Sequence, residues 1–237
     1  MRTRIAVATL VFLGVTWAGP ASPAGGAWLD AKPLAAWNKA GAKIPRAPRF
    51  DPDPFLDKQC AGQARASISA ADQAVVKAGW KLIGSSQRFG DTEVLLGRSG
   101  VDGMCRPMGY QGFVFSGGRF AGTIAPRPMD SRTDGAAQAP ELWSAGALSV
   151  TFSRYAGRDP LCCPSRVSTV QYRIDAGPGG PVLTATDVVT AATADATPPS
   201  PSTGIVLRTW QLVRIQTRDG AVLVPDDPSR YTLELSG

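Results

Sequence analysis

Cys162 and Cys163 are adjacent, in the run Asp159-Pro160-Leu161-Cys162-Cys163-Pro164-Ser165, and the chain of 237 residues has only two other cysteines, Cys60 and Cys105. In an oxidising compartment four cysteines imply two disulfides. Three pairings are possible on paper. Geometry disfavours the bond between neighbours, because adjacent Cα atoms lie about 3.8 Å apart whereas disulfides usually span about 4.4–6.8 Å. In extended chain, neighbouring side chains point to opposite faces, and Pro164 pushes Cys163 towards extended geometry. The expectation is that Cys162 and Cys163 each reach a different partner, Cys60 on one side and Cys105 on the other, with the assignment left open. Each bridge would close a loop of roughly 60–100 residues and contribute about 4 kcal/mol through chain entropy. A redox-active Cys162–Cys163 pair is the rival; it lacks C-x-x-C spacing and a thiolate-stabilising neighbour. Zinc is disfavoured, since adjacent thiolates rarely chelate one ion and the chain has no histidine. No metal site and no cofactor are expected.

The oxidising compartment follows from the first 27 residues. Arg2 and Arg4 form a basic start, Ile5 to Ala18 an apolar stretch, and small residues and prolines run from Gly19 to Ala27. This is the pattern of a secretory signal, shorter than the roughly 20 apolar residues of a membrane span. Cleavage is expected near Ala24 or Ala27, leaving an exported, soluble, periplasmic or secreted product without a stable membrane anchor. Removing Arg2 and Arg4 lowers the formal net charge from +6 to +4. The basic residues are scattered rather than interleaved with aromatics, so nucleic acid is not an expected partner. With 43% hydrophobic and 19% charged residues, the rest of the chain can bury a core.

Residues 28–59 are rich in Pro, Ala and Trp and read as an irregular arm, with at most a short helix around Pro33–Ala40; Trp28 and Trp37 are expected to pin it to the main body. A domain over 60–190 follows. Ser69 as N-cap, Asp72 at the third helical position and Gly79 as stop predict one helix over about 69–79. Beyond it the pattern changes to strands. Trp80, Leu82 and Val94-Leu95-Leu96 predict two strands joined through Ser85–Asp91. Gly117-Gly118 predicts a tight hairpin in which Phe115 faces Phe120, and Phe113 and Ile124 share a face. Leu148, Val150 and Phe152, then Val170, Tyr172 and Ile174, alternate with polar residues. The fold class expected is α+β, mainly antiparallel sheet with one clear helix and two disulfides. Residues 191–204 read as a Pro/Ser/Thr linker, and 205–237 as a further strand pair.

Several short strings share a likeness. Asp102-Gly103-Met104-Cys105-Arg106-Pro107, Tyr110-Gln111, Phe120-Ala121-Gly122-Thr123, Met129 through Gly135, Arg154-Tyr155 and Asp159 through Ser165 resemble the LppP/LprE bacterial lipoprotein family over roughly residues 50–190. The resemblance implies an envelope-associated protein and carries over no catalytic set. The chain lacks the cysteine on which lipid-anchored members depend. Thr209-Trp210-Gln211-Leu212 and Pro228 through Leu235 resemble the opening of a META domain, as in HslJ-like proteins.

Absence of histidine excludes Ser-His-Asp and Cys-His mechanisms within the chain. Asp102, Asp130, Asp134 and Asp159 offer carboxylates for hydrolysis, but Asp102-Gly103 and Asp134-Gly135 are also ordinary turn dipeptides. Asp130 through Gly135 falls short of a calcium loop, with Arg132 in its middle. Arg106, Arg132 and Arg154 could hold an anionic ligand or pair with Asp102, Asp134 and Asp159 to fix their loops; internal pairing is the favoured expectation. The leading functional expectation is an exported, non-enzymatic binding or structural module acting on an envelope component of unknown identity. Its alternatives are an envelope hydrolase using the loop carboxylates, and a thiol-redox protein using Cys162 and Cys163.

Overall fold

The computed structural model describes residues 25–193 apart from 52, together with 209–211, 215–216, 222–223, 230 and 232–234. The expected signal segment, save its last residues, and most of the expected linker lie outside the described residues. After a 3-10 turn over Gly25–Asp30, the main body contains helices α1 (Pro54–Gln59) and α2 (Ala70–Lys77). Its strands are β1 (Lys81–Phe89), β2 (Thr92–Arg98), β3 (Gly100–Val101), β4 (Pro107–Met108), β5 (Gln111–Ser116), β6 (Arg119–Thr123), β7 (Ala136–Ala137), β8 (Glu141–Ser144), β9 (Ala147–Arg154), β10 (Arg166–Gly177) and β11 (Gly180–Ala192). No helix among the described residues is long and apolar enough to cross a membrane. In the tail, Thr209–Gln211 pairs antiparallel with Thr232–Glu234.

Helix α2 forms where its caps dictate. The Ser69 hydroxyl accepts from the Asp72 amide at 3.0 Å, and the Asp72 carboxylate accepts from the Ser69 amide at 3.3 Å, a reciprocal capping box. At the other end Gly79, with φ +97°, donates to the Val76 carbonyl at 2.9 Å, and Trp80 donates to Val75 at 3.4 Å. This is the Schellman closure, with Trp80 and Val75 in apolar contact. No helix forms over Pro33–Ala40; the short helix of the arm is α1, where the Asp53 carboxylate caps the Phe55 and Leu56 amides and Pro54 opens the first turn.

Two antiparallel sheets carry the fold, in the orders β1-β2-β5-β6 and β11-β10-β9-β7, with β8 also on β9. They curl onto each other, β6 beside β11 and β1 beside β8, around an interior of Val94, Val114, Ile124, Leu142, Leu148, Val150, Phe152, Val170, Tyr172 and Leu183. The alternation in β9 and β10 places Leu148 opposite Tyr172 and Val150 opposite Val170, all turned inward. The central strands of the first sheet, β2 and β5, are buried on both faces. Leu82, Leu95, Phe113 and Phe115 point outward beneath Ala71 and Val75 of α2 and beside Trp80, which explains why Val94-Leu95-Leu96 and Phe113-Val114-Phe115 are unbroken apolar runs.

The hairpin pairs Phe115 with Phe120 as expected, but Val114 then pairs with Gly122 and Phe113 with Thr123. Ala121 is an extra residue, and one extra residue reverses the facing of everything beyond it. Ile124 therefore joins Val114 in the interior while Phe113 lies on the outer face, correcting the expectation that Phe113 and Ile124 share a side. The segment Ser85–Asp91, expected to be a connection, is mostly strand; β1 runs to Phe89, with a bulge between Ile83 and Gln87.

Side chains join the sheets where they meet. At one seam the Asn38 amide donates to the carbonyls of Thr123 and Leu183, both at 3.0 Å, and accepts from the Thr123 amide at 2.9 Å. Gly122, at φ +150°, leaves the space that Asn38 fills. At the other seam Gln87 donates to Pro140 at 2.5 Å and accepts from Leu142 at 2.9 Å, and the Thr92 hydroxyl donates to Ala145 at 2.6 Å. Trp28, edge-on to Phe152 at 5.1 Å and to Trp37 at 5.0 Å, brings the N-terminal strap, the segment 25–51 ahead of α1, into the interior cluster, and Trp37 donates to Thr123 at 3.0 Å.

The disulfides are Cys60–Cys105, with Cα atoms 5.3 Å apart, and Cys162–Cys163, with Cα atoms 3.8 Å apart. This overturns the expectation that the doublet reaches both earlier cysteines. Cys60 follows α1 and Cys105 sits at the turn between β3 and β4, so the two lie against each other. The doublet is held in a separate exposed loop between β9 and β10. It is a turn rather than extended chain, closed by the Cys163 amide donating to Pro160 at 2.9 Å, so the opposite-face argument does not operate there.

Candidate functional site

Three of the family-like strings form loops, around Asp102–Tyr110, Met129–Gly135 and Asp159–Ser165, and the first is the ribbon of β3 and β4. One Asp102 carboxylate oxygen accepts from the Met104 and Arg106 amides, both at 2.9 Å, and the other accepts from Arg106 Nε at 2.6 Å. Partial desolvation would raise the Asp102 carboxyl, but the Arg106 amide and guanidinium outweigh it and hold it below the ordinary carboxylate range. The turn forces Cys105 to φ +62°, a conformation uncommon for a non-glycine residue, and the bond to Cys60 holds it there.

The second loop, Met129–Gly135, is tied to the first. Backbone bonds join Tyr110 and Met129 at 2.7 and 2.8 Å, the Ser131 amide donates to Pro107 at 3.1 Å, and Asp130 accepts from the Gly109 amide at 2.7 Å. Burial pushes the Tyr110 hydroxyl well above its ordinary pKa; it donates to Ala137 at 2.7 Å. Asp134 accepts from Arg154 Nε and from the Tyr155 amide, both at 2.9 Å. Arg154 is the node of this region. Only 3% exposed, it also binds Asp30 of the strap at 2.7 and 3.0 Å and the Ser168 hydroxyl at 3.2 Å. The Arg154 guanidinium holds Asp30 below its usual range, and Asp30 in turn raises Arg154. Arg132 stands apart: it is exposed, at φ +62°, on the rim of the loop.

In the third loop Asp159 accepts from the Ala156 amide at 2.7 Å and the Ser165 amide at 2.8 Å, which pinches the loop at its base and lowers the Asp159 carboxyl. Tyr155 donates its hydroxyl to Leu161 at 3.0 Å, and Thr193 closes onto the Ser165 and Pro164 carbonyls.

Of the sequence-derived residues, the fold unites Asp102 with Arg106 and Asp134 with Arg154, gives Asp130 and Asp159 to backbone amides and, among the described residues, leaves Arg132 outside any such pair. Asp130 and Asp134 meet on one cleft of about 440 Å³, with Trp28, Trp37, Arg127, Met129 and Thr133 among its walls. Asp102, Arg106 and Asp159 do not line it. Asp30 carries no signal in the sequence, because its role depends on a contact 124 residues away. Trp28 and Trp37, expected as anchors, also border the cleft. Among the described residues no group of three or more Cys, Asp or Glu is arranged to hold a metal ion.

Comparison with curated proteins and with solved structures gave no match. Residues 89–177, which run from the end of β1 to the end of β10 and carry all three motif loops, match the family model described as LppP/LprE lipoprotein.

Proposed function

We propose that the protein is an exported, envelope-associated binding module whose ligand enters the cleft between the N-terminal strap and the Met129–Gly135 loop. The observation that carries the reading is the composition of that cleft. Trp28, Trp37, Pro126, Pro128 and Met129 give it apolar lining, and Asp130, Thr133, Asp134 and Arg127 add acceptors and donors. An apolar wall with a few convergent polar groups suits a small ring-shaped, hydroxyl-bearing ligand such as an envelope saccharide. The carboxylates speak for binding rather than hydrolysis. Asp102 and Asp134 are engaged by Arg106 and Arg154, and Asp130 and Asp159 by backbone amides. In the cleft itself Asp130 accepts from the Gly109 amide and Asp134 from Arg154, so both carboxylates are engaged in holding the loop. The envelope assignment rests on the partial family match and the signal-like first 27 residues. The reading of the tail as a partial META-like unit rests on its sequence likeness alone; within it Thr209–Gln211 pairs with Thr232–Glu234.

Titration of ¹⁵N-labelled protein with soluble peptidoglycan fragments tests the cleft. Shifts confined to the Trp28 and Trp37 indoles and the amides of residues 126–135, weakened by Trp37→Ala, are expected. Saturating shifts on another face, or none at millimolar fragment, would refute it, and release of cleaved product would favour the hydrolase.

A further inference from the structure

The two disulfides occupy opposite environments. Cys60 is 1% exposed and its bond to Cys105 joins segments 45 residues apart. Cys162 and Cys163 are both exposed, beside the exposed Leu161, and their bond joins immediate neighbours. A bond between neighbours closes no loop of chain, so opening it releases almost no conformational entropy to the unfolded state. Bonds that involve no sulfur also hold the loop. Asp159 clamps the Ala156 and Ser165 amides, Tyr155 holds Leu161, and Thr193 holds Ser165. The doublet therefore lies on an exposed loop that is also fixed by bonds not involving sulfur.

We propose that Cys162–Cys163 is a thiol–disulfide exchange site that accepts two electrons from a dithiol donor. A donor thiolate attacks one of the two Sγ atoms; the Cys162–Cys163 bond breaks, a mixed disulfide forms, and the other Sγ leaves as a thiolate and takes a proton. The donor's second thiolate then attacks its own sulfur in the mixed disulfide and frees the first Sγ, which is protonated. The donor departs as a disulfide, and two electrons and two protons have passed to the protein. A monothiol is a poor donor, because the displaced thiolate is the neighbouring residue and recloses the ring before a second monothiol arrives. The site is independent of the cleft and of what the cleft binds.

The test is differential alkylation of the native protein, purified oxidised, across a dithiothreitol series, read by peptide mass spectrometry with circular dichroism alongside. Cys162 and Cys163 should label together at a dithiothreitol concentration at least about tenfold below that needed for Cys60 and Cys105, with an unchanged spectrum. Glutathione at equal thiol concentration should give far less labelling. The Cys162→Ser/Cys163→Ser protein should keep its fold and lose the low-concentration step. Appearance of all four thiols in one step that coincides with unfolding would overturn the proposal. So would labelling of the doublet before any reductant is added.

Discussion

Asn38 joins three elements that have no common backbone ladder: the strap, β6 and β11. Replacing it with alanine removes two bonds of 3.0 Å and one of 2.9 Å at once. A net contribution of about 1 kcal/mol per bond, discounted because the site is half-buried and water can reach part of it, gives a loss of about 2–3 kcal/mol. For a chain of this size each kcal/mol moves the midpoint by about 2–4 °C, so Asn38→Ala should melt about 5–10 °C below the parent in a calorimetric scan. Asn38→Asp is the informative companion. It keeps an acceptor for the Thr123 amide but turns a carboxylate on the Thr123 and Leu183 carbonyls. At pH 7 it should be at least as damaging as alanine, and it should recover part of the loss below about pH 4, where the carboxyl protonates. An Asn38→Ala protein that melts within about 1 °C of the parent, or an Asn38→Asp protein indistinguishable from it at pH 7, would refute the idea that this amide fastens the seam.

Asp72 is fully buried and bound to Arg65 at 2.5 and 2.7 Å and to the Ile68 amide at 3.0 Å. Burial alone would raise its carboxyl, but these partners hold it low. Its contribution is thus complete above the unfolded value of about 3.9 and is lost as pH falls through the lower folded value. Chemical denaturation should show Asp72→Ala weaker by about 3 kcal/mol at pH 7, with the gap to the parent narrowing in strong acid. Arg98 is 1% exposed, and its Nε and Nη1 find no partner among the described residues; Arg98→Met should stabilise the protein by about 1 kcal/mol or more, and a lower urea midpoint would contradict this. Removing the Cys60–Cys105 bond by a double serine substitution should cost about 4 kcal/mol by the chain-entropy relation, measured by urea unfolding of the two proteins in parallel.

What could be read from residues alone was what is local. The α2 caps are set by Ser69, Asp72 and Gly79, all within one short stretch, and the alternation of β9 and β10 is written in their own side chains. The hairpin turn was legible in Gly117-Gly118, but the extra residue at Ala121 was not, because nothing in Arg119 through Gly122 marks which residue is left unpaired. The disulfide pairing went wrong for a similar reason. Pro164 favours extended chain at Cys162-Cys163, whereas Asp159, by clamping both ends of the loop, makes a turn instead. In the candidate site, the pairs four residues or fewer apart, such as Asp102 with Arg106, were within reach of sequence reasoning. The bond from Asp30 to Arg154 and the cleft bordered by Trp28 were not, since only the folded sheets bring the strap there.

Cys60 lies upstream of the stretch that family likeness recognises, and its partner Cys105 lies within it. The same is true of nearly all of β1, of α2 over the outer face, of Trp28, Asp30 and Asn38; β11 lies wholly downstream. Excising 89–177 would strand a thiol, bare the margins of β2 and β10, and strip the roof from Leu95 and Phe113. The contacts that close this fold thus reach back to the strap and forward through β11, well beyond the span that the family model matches.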